Sequence, residues 1–257
     1  MKKIIKKVLL TLTSAAILIS AASCGNNTQN NAVSENTSDT KVYKIGVTQF
    51  ADHPSLDNCR EGFIEGLKNN GFTEGDNIEI EFKSAQSDMN MANQIAQTFA
   101  SNKKDLVCGI ATPSAQSLYA SCESAGIPVI FNAISDPVAA KLAVSETENM
   151  KGITGISDRL PVKEQLELIR KVLPNAKKIG ILYTVGEANS VSTIATYKEL
   201  AGEYGFEIVD KGISKQAEVP QAADYILSTV DCISNLTDNT VVSALGVVLD
   251  KANAKNI

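Results

Sequence analysis

The sequence has no tryptophan, a single histidine and few aromatic residues of any kind, 5% in all. One histidine, His53, cannot build a multi-histidine metal site, and no cysteines stand at CxxC or another metal-ligand spacing. Catalytic signatures are missing as well. The first strand-to-helix turn, "GVTQFADHP", lacks the glycines that a dinucleotide pyrophosphate requires. There is no phosphate-cradling GxxxxGK(S/T), no HExxH and no GxSxG elbow. No serine or cysteine nucleophile is identifiably paired with His53, which reads as a cleft or loop residue rather than a general base. A basic stripe is also absent and the formal net charge is −5, which argues against a nucleic-acid partner. No catalytic residue, metal or cofactor is expected.

What remains is ordinary globular composition, 44% apolar and 21% charged over 257 residues, enough for one large domain or two smaller lobes. The chain begins as an export signal: "MKKIIKK" is a basic n-region, "VLLTLTSAAILIS" an apolar h-region, and "AASC" places small residues before Cys24. The apolar stretch is at the short end for spanning a bilayer and no charged stop-transfer cluster follows. Residues 1–23 are therefore expected to be a lipoprotein signal peptide, with Cys24 the lipidated residue; an ordinary secreted protein is the alternative. Residues 24–42, including "GNNTQNNAVSENTSDT", form a polar tether with too little apolar surface to fold. The protein is expected on the outer side of the cytoplasmic membrane. Cys59, Cys108, Cys122 and Cys232 read as buried thiols, with a disulfide such as Cys108–Cys122 open to an exported chain.

Beyond the tether, short apolar runs alternate with helical patterns. "YKIGVTQF" is a strand; Leu56, Cys59, Phe63 and Leu67 then recur at helical spacing, and Gly71 is placed to end the helix. "NIEIEF" puts Ile78, Ile80 and Phe82 on one face of a strand. A helix from about Asn90 carries Met91, Ile95 and Phe99 on one stripe. "DLVCGIA" is a continuous apolar run, as in a strand covered on both faces; Pro113 suits the first turn of the next helix, and "PVIFNAI" is a further strand. "MKGITGISDRLP" interrupts the alternation, which restarts with helix "VKEQLELIRKVL" and strand "KKIGILYT". It continues through helix "NSVSTIATYKELAGEYG", strand "FEIVDKGIS", helix "VPQAADYILSTV", strand "DCISNLT" and helix "NTVVSALGVVLDKANAK". This order predicts an α/β fold of two Rossmann-like lobes with parallel, doubly wound sheets, residues 43–157 and 158–257.

In open parallel sheets, ligands bind beyond the carboxyl ends of the strands. The loops there hold Thr112, Ser114, Ser135, Asp136, Glu187, Asn189, Ser190, Thr237, Asp238 and Asn239. Each has a plain explanation as a helix N-cap; their recurrence in both halves favours a polar cleft between lobes. A small solute's carboxylate would meet helix N-termini and hydroxyls there. Its ammonium would want a carboxylate, Asp238 or Asp136. Phe50 and Tyr183, near the ends of the two opening strands, either pack against an apolar or aromatic ligand or belong to the cores.

The segments "IGVTQFADHPSLD", "GIATPSAQ", "NAISDP", "GITGISDRLPVKEQLELIRKVLPNAKKIGILYTVGEANS" and "TDNTVVSAL" together resemble the tryptophan/tyrosine-type substrate-binding proteins of ABC transporters. The resemblance runs from about Tyr43 to Ile257. It implies a type I periplasmic-binding fold, closure about a hinge around an aromatic or related amino acid, and delivery to a permease driven by a separate ATPase. Carried over by motif, the pocket would include Thr112, Ser114, Asp136, Glu187, Asn189, Ser190, Asp238 and Asn239. It also implies further segments after "ANAKNI" that complete the second sheet and return to the first lobe, so a C-terminally truncated sequence is expected. Rival readings are a receptor for a sugar or nucleoside, which would want more aromatics, and a sensory ectodomain of the same fold. An exported α/β enzyme would need a nucleophile–base pair.

Overall fold

The computed structural model describes residues 41–257. The expected leader, Cys24 and nearly all of the tether lie outside the described residues. Strand β1 (Tyr43–Gln49) opens the first sheet and is followed by α1 (Pro54–Asn69), β2 (Ile78–Ser84), α2 (Met89–Ser101), β3 (Leu106–Ile110), α3 (Thr112–Cys122) and β4 (Val129–Ile134). A small antiparallel hairpin, β5 (Ala143–Ser145) and β6 (Glu148–Asn149), precedes β7 (Ile153–Ser157). The five-stranded sheet has the order β2-β1-β3-β4-β7, with every neighbouring pair parallel. The chain then runs through α4 (Val162–Val172), β8 (Lys178–Thr184), α5 (Ala188–Leu200), β9 (Glu207–Ile213), α6 (Val219–Ile226), β10 (Cys232–Ile233), α7 (Asn239–Val242) and α8 (Leu245–Ala254). Its sheet, β10-β8-β9, is also parallel. In both sheets the opening strand lies between the second and third strands of its series. No described helix is long and apolar enough to cross a membrane.

Local chemistry explains the elements. Pro54 enters α1 without wasting a donor, and Gly71, at φ +86°, supplies the left-handed residue that stops it. The Asp88 carboxylate caps α2 by accepting from the backbone N–H of Asn90 and Met91. Central strands β1 and β3 are buried on both faces and form one core with Phe99, Leu118 and Phe131. Alternate residues of β8 serve two cores: Ile179 and Ile181 meet Leu166 and Tyr197 on one side, while Leu182 meets the α6/α8 cluster of Ala223, Ile226 and Val248 on the other. Gly109 lets α3 lie directly on β3, since a Cβ there would stand 2.6 Å from the Ala115 Cα.

Several expectations need correction. "MKGITGISDRLP" is no simple interruption, because it contains β7, the fifth strand of the first sheet. An edge strand that buries only Ile153 has no apolar run to announce it. Met91 lies off the buried stripe of α2, which is Ala92, Ile95, Ala96 and Phe99. Phe82 is exposed on edge strand β2, where the Arg60 guanidinium covers its ring. The final helix is two helices broken near Ala244. All four described cysteines are free thiols.

Candidate functional site

The carboxyl ends of the two sheets face each other. From the first come the start of α1, the end of β4 and the residue after β7; from the second come the turn into α5 and the loop from β10 to α7. The Ser135 and Thr237 hydroxyls meet across the gap at 2.6 Å. Beside them the Ser192 hydroxyl, on α5, donates to the Asp136 carboxylate, which also caps the Ala139 N–H at 2.9 Å. Between these rims lies a cavity of about 240 Å³. His53, Leu56, Cys59, Ala133 and Asp158 line it from one side, and Asn189, Leu236, Thr237, Asn239 and Val242 from the other. Ala133 reaches the wall through a bulge in β4, where its φ of +58° is costly for a residue with a side chain.

Two buried carboxylates brace the second rim. Asp238 accepts from the Thr184 N–H (2.6 Å) and hydroxyl (2.8 Å), the Ser190 hydroxyl (2.7 Å) and the Val241 N–H (2.8 Å). Glu187 accepts from the N–H (3.0 Å) and amide (2.6 Å) of Asn239 and the N–H (3.1 Å) and hydroxyl (2.9 Å) of Thr240. Burial, and after it the neighbouring Asp238 carboxylate, push the Glu187 carboxyl up to about 7 against those donors. Of the two carboxylates expected to offer a place to a ligand ammonium, Asp238 and Asp136, Asp238 is taken up by its own neighbours. It borders the cavity, but its carboxylate is fully shielded and both oxygens are occupied, so it fastens α7 to β8 and α5.

Other polar atoms on the rims have no protein partner. Asn189 gives its amide N–H to the Thr237 carbonyl (2.8 Å), while its Oδ1 is buried and unpaired. Both ring nitrogens of His53 are also buried without a hydrogen bond. Burial holds this imidazole below its usual 6.5; Asn239 approaches the ring and opposes the shift without forming a well-shaped bond. Asp158 accepts the Ser135 hydroxyl at 3.0 Å, and burial between the cavity walls raises its carboxyl above the usual range even though its side chain is open to the cavity. Buried groups left unpaired cost free energy that an arriving ligand can recover.

The expected residues therefore divide. Asn189, Thr237, Asp238 and Asn239 line the cavity, Ser135 and Asp136 bridge the rims, and Glu187 and Ser190 stand behind as braces. Thr112 and Ser114 are buried in the first turn of α3, which packs against α5, outside the cavity lining; the Ser114 hydroxyl has no partner. Phe50 is a core residue of the first lobe, and Tyr183 packs on the α4/α5 face of the second sheet beside Gly212. Neither supplies the apolar wall, which is Leu56, Ala133, Leu236 and Val242. Asp158 was missed with β7, since its strand-end position is visible only once that strand is recognised. Among the described residues no group of three His, Cys, Asp or Glu side chains is placed to hold a metal ion.

The family described as ABC transporter substrate binding protein matches residues 44–257. A tyrosine-binding protein of Clostridioides difficile (strain R20291) is 38% identical over 255 residues, covering 98% of this chain and 73% of that protein. A crystal structure of the ABC domain from Streptococcus pneumonia in complex with L-Trp is 33% identical, covers 84% of this chain and 72% of its own, and superposes with a TM-score of 0.80. The ligand-free, open structure of a substrate-binding protein with adhesive properties from Clostridium difficile is 41% identical with the same coverages, yet its TM-score is 0.58. The chain thus superposes more closely on the L-Trp complex than on the ligand-free, open protein. With two parallel α/β sheets meeting at a cleft between their strand ends, and with these relatives, the chain belongs to the family of ABC transporter substrate-binding proteins, of type I periplasmic-binding fold.

Proposed function

We propose that the protein captures an aromatic amino acid in the cavity between its two sheets and hands it, unchanged, to an ABC permease driven by a separate ATPase. The observation that carries this reading is the cavity itself. Its apolar wall of Leu56, Ala133, Leu236 and Val242 suits a hydrophobic side chain, and the unpaired Asn189 Oδ1 and His53 nitrogens, with the Asp158 carboxylate that takes only the Ser135 hydroxyl from another residue, suit the polar end of an amino acid. The relatives described as binding tyrosine and L-Trp point to the same ligand class. In this reading residues 1–23 direct export, Cys24 carries the lipid, residues 24–42 tether the protein to the outer face of the cytoplasmic membrane, and lobes 43–157 and 158–257 form the receptor. The family works outside the cytoplasm, where such a tether would hold it near its permease.

The test is a thermal-shift and calorimetric screen of this chain against L-tryptophan, L-tyrosine and L-phenylalanine, with a hexose and a nucleoside alongside. A true ligand stabilises by RT ln(1 + [L]/Kd), about 2.7 kcal/mol at a hundredfold excess over Kd. The ligand should also be recovered chemically intact. Stabilisation by the hexose or nucleoside alone would overturn the reading.

A further inference from the structure

We infer that Asp158 is the carboxylate that receives the ligand's ammonium group, with Asn189 Oδ1 as a neutral second acceptor. The inference rests on the amino-acid reading above and adds which group confers selectivity for the amine. An ammonium brings three N–H donors and a full charge, and a partly dry cleft holds it well only where a carboxylate has acceptor capacity to spare.

Counting donors on each rim carboxylate singles out one. The Glu187 carboxylate already accepts five hydrogen bonds, counting a long one from the Asn189 amide, and that of Asp238 accepts four. Asp136 takes the Ala139 N–H and the Ser192 hydroxyl, and it borders a neighbouring depression with Arg159 instead of the cavity. Asp158 lines the cavity and, among the described residues, accepts from one other residue: the Ser135 hydroxyl reaches its Oδ1, leaving Oδ2 without a partner. It makes no ion pair within that set, since the adjacent Arg159 turns to Glu146. Partial desolvation in the cleft raises its carboxyl pKa against the Ser135 hydrogen bond, and a bound cation would oppose that shift.

The two acceptors are also linked to one another. Because Ser135 gives its proton to Asp158, Thr237 must donate to Ser135, and the Thr237 carbonyl in turn takes the Asn189 amide. This chain of hydrogen bonds crosses from the first lobe to the second and leaves an empty acceptor at each end. An ammonium seated on both ends would tie the lobes together, so recognition of the amine and closure become one event.

Binding of L-tryptophan and L-tyrosine should be compared with that of indole-3-propionate and 3-(4-hydroxyphenyl)propionate, which lack the amine, by calorimetry on this chain and on Asp158→Asn. The wild-type protein should prefer the amine-bearing partner of a pair by about 10- to 100-fold, the range of a charge-assisted hydrogen bond, and Asp158→Asn should abolish the preference. Asp250→Asn, on the exposed side of α8 and outside the cavity lining, should retain it, which separates loss of one negative charge from loss of this one. Equal wild-type affinity for the two members of each pair overturns the inference without any variant. Wild-type tightness in a folded Asp158→Asn protein overturns it too, and either result leaves the proposed function standing. If the wild-type protein binds none of these compounds, the proposed function falls and the assignment with it.

Discussion

Ser135 and Thr237 are 102 positions apart in the chain, and their hydroxyls touch at 2.6 Å where the two sheets face each other. Replacing Thr237 by Val keeps the shape and removes the bond. The two sheets are packed by separate core clusters to which this bond adds nothing, so the unfolding transition of the ligand-free protein should barely move. Ligand affinity should fall about 3- to 10-fold, the worth of one neutral hydrogen bond, because only the closed arrangement uses it. Calorimetry and solution scattering with and without ligand would check both halves of this expectation.

Asp238 should behave as a structural residue. Asp238→Ala strands two backbone N–H groups and two hydroxyls, from Thr184, Ser190 and Val241, in a site without water access. Loss of about 3 kcal/mol or more of folding stability is expected, as when a buried, fully bonded charge is removed. Urea unfolding measures it; a variant of near wild-type stability that merely fails to bind amino acids would restore Asp238 as a direct ligand contact.

Acidification should weaken the fold through His53. Its folded-state pKa lies below 6.5, so below 6.5 the unfolded chain takes up a proton that the folded one resists. The group's contribution is complete above 6.5 and is lost as the pH falls through the folded value. Glu187 works in the opposite sense: with its carboxyl raised from 4.5 to about 7, the folded state holds the extra proton in that window and stability falls as pH rises. The difference between wild type and His53→Gln in melting temperature across about pH 5–7 isolates the first effect. It should shrink toward zero or change sign at the acid end, and a pH-independent difference would refute the assignment.

Gly109→Ala should displace α3. The new Cβ would meet the Ala115 backbone at 2.6 and 2.8 Å, and neither sheet nor helix backbone yields easily. A cost of about 1–3 kcal/mol is expected, the usual range for overpacking. Because α3 packs against α5 at the rim, ligand affinity should fall with it. Thermal melts and calorimetry on the same samples would show whether the two losses travel together.

The alternation of strands and helices was legible because central strands such as β3 are continuous apolar runs and α1 and α2 carry caps. β7 was not, because an edge strand with one buried side chain leaves no periodic trace. Losing that strand also hid Asp158, the carboxylate just beyond its end. The loop rule did find the rims, including Asn189, Thr237 and Asn239. It could not distinguish a carboxylate that faces a ligand from one that faces its own backbone, since Asp and Glu at helix starts serve both ends. Asp238 turned out to cap α7 through the Val241 N–H, the plainer of its two readings. Phe50 and Tyr183 show the same limit for aromatics, whose direction depends on strand twist and on neighbours such as Gly212.

The doubly braced second rim has a mechanical consequence. Parting the lobes would break the Ser135–Thr237 and Asp136–Ser192 contacts, while the nine bonds to Glu187 and Asp238 all lie within the second half of the chain. Half of the recognition surface is therefore already assembled before cargo arrives and survives its departure. Such a jaw can open and shut many times without rebuilding its teeth.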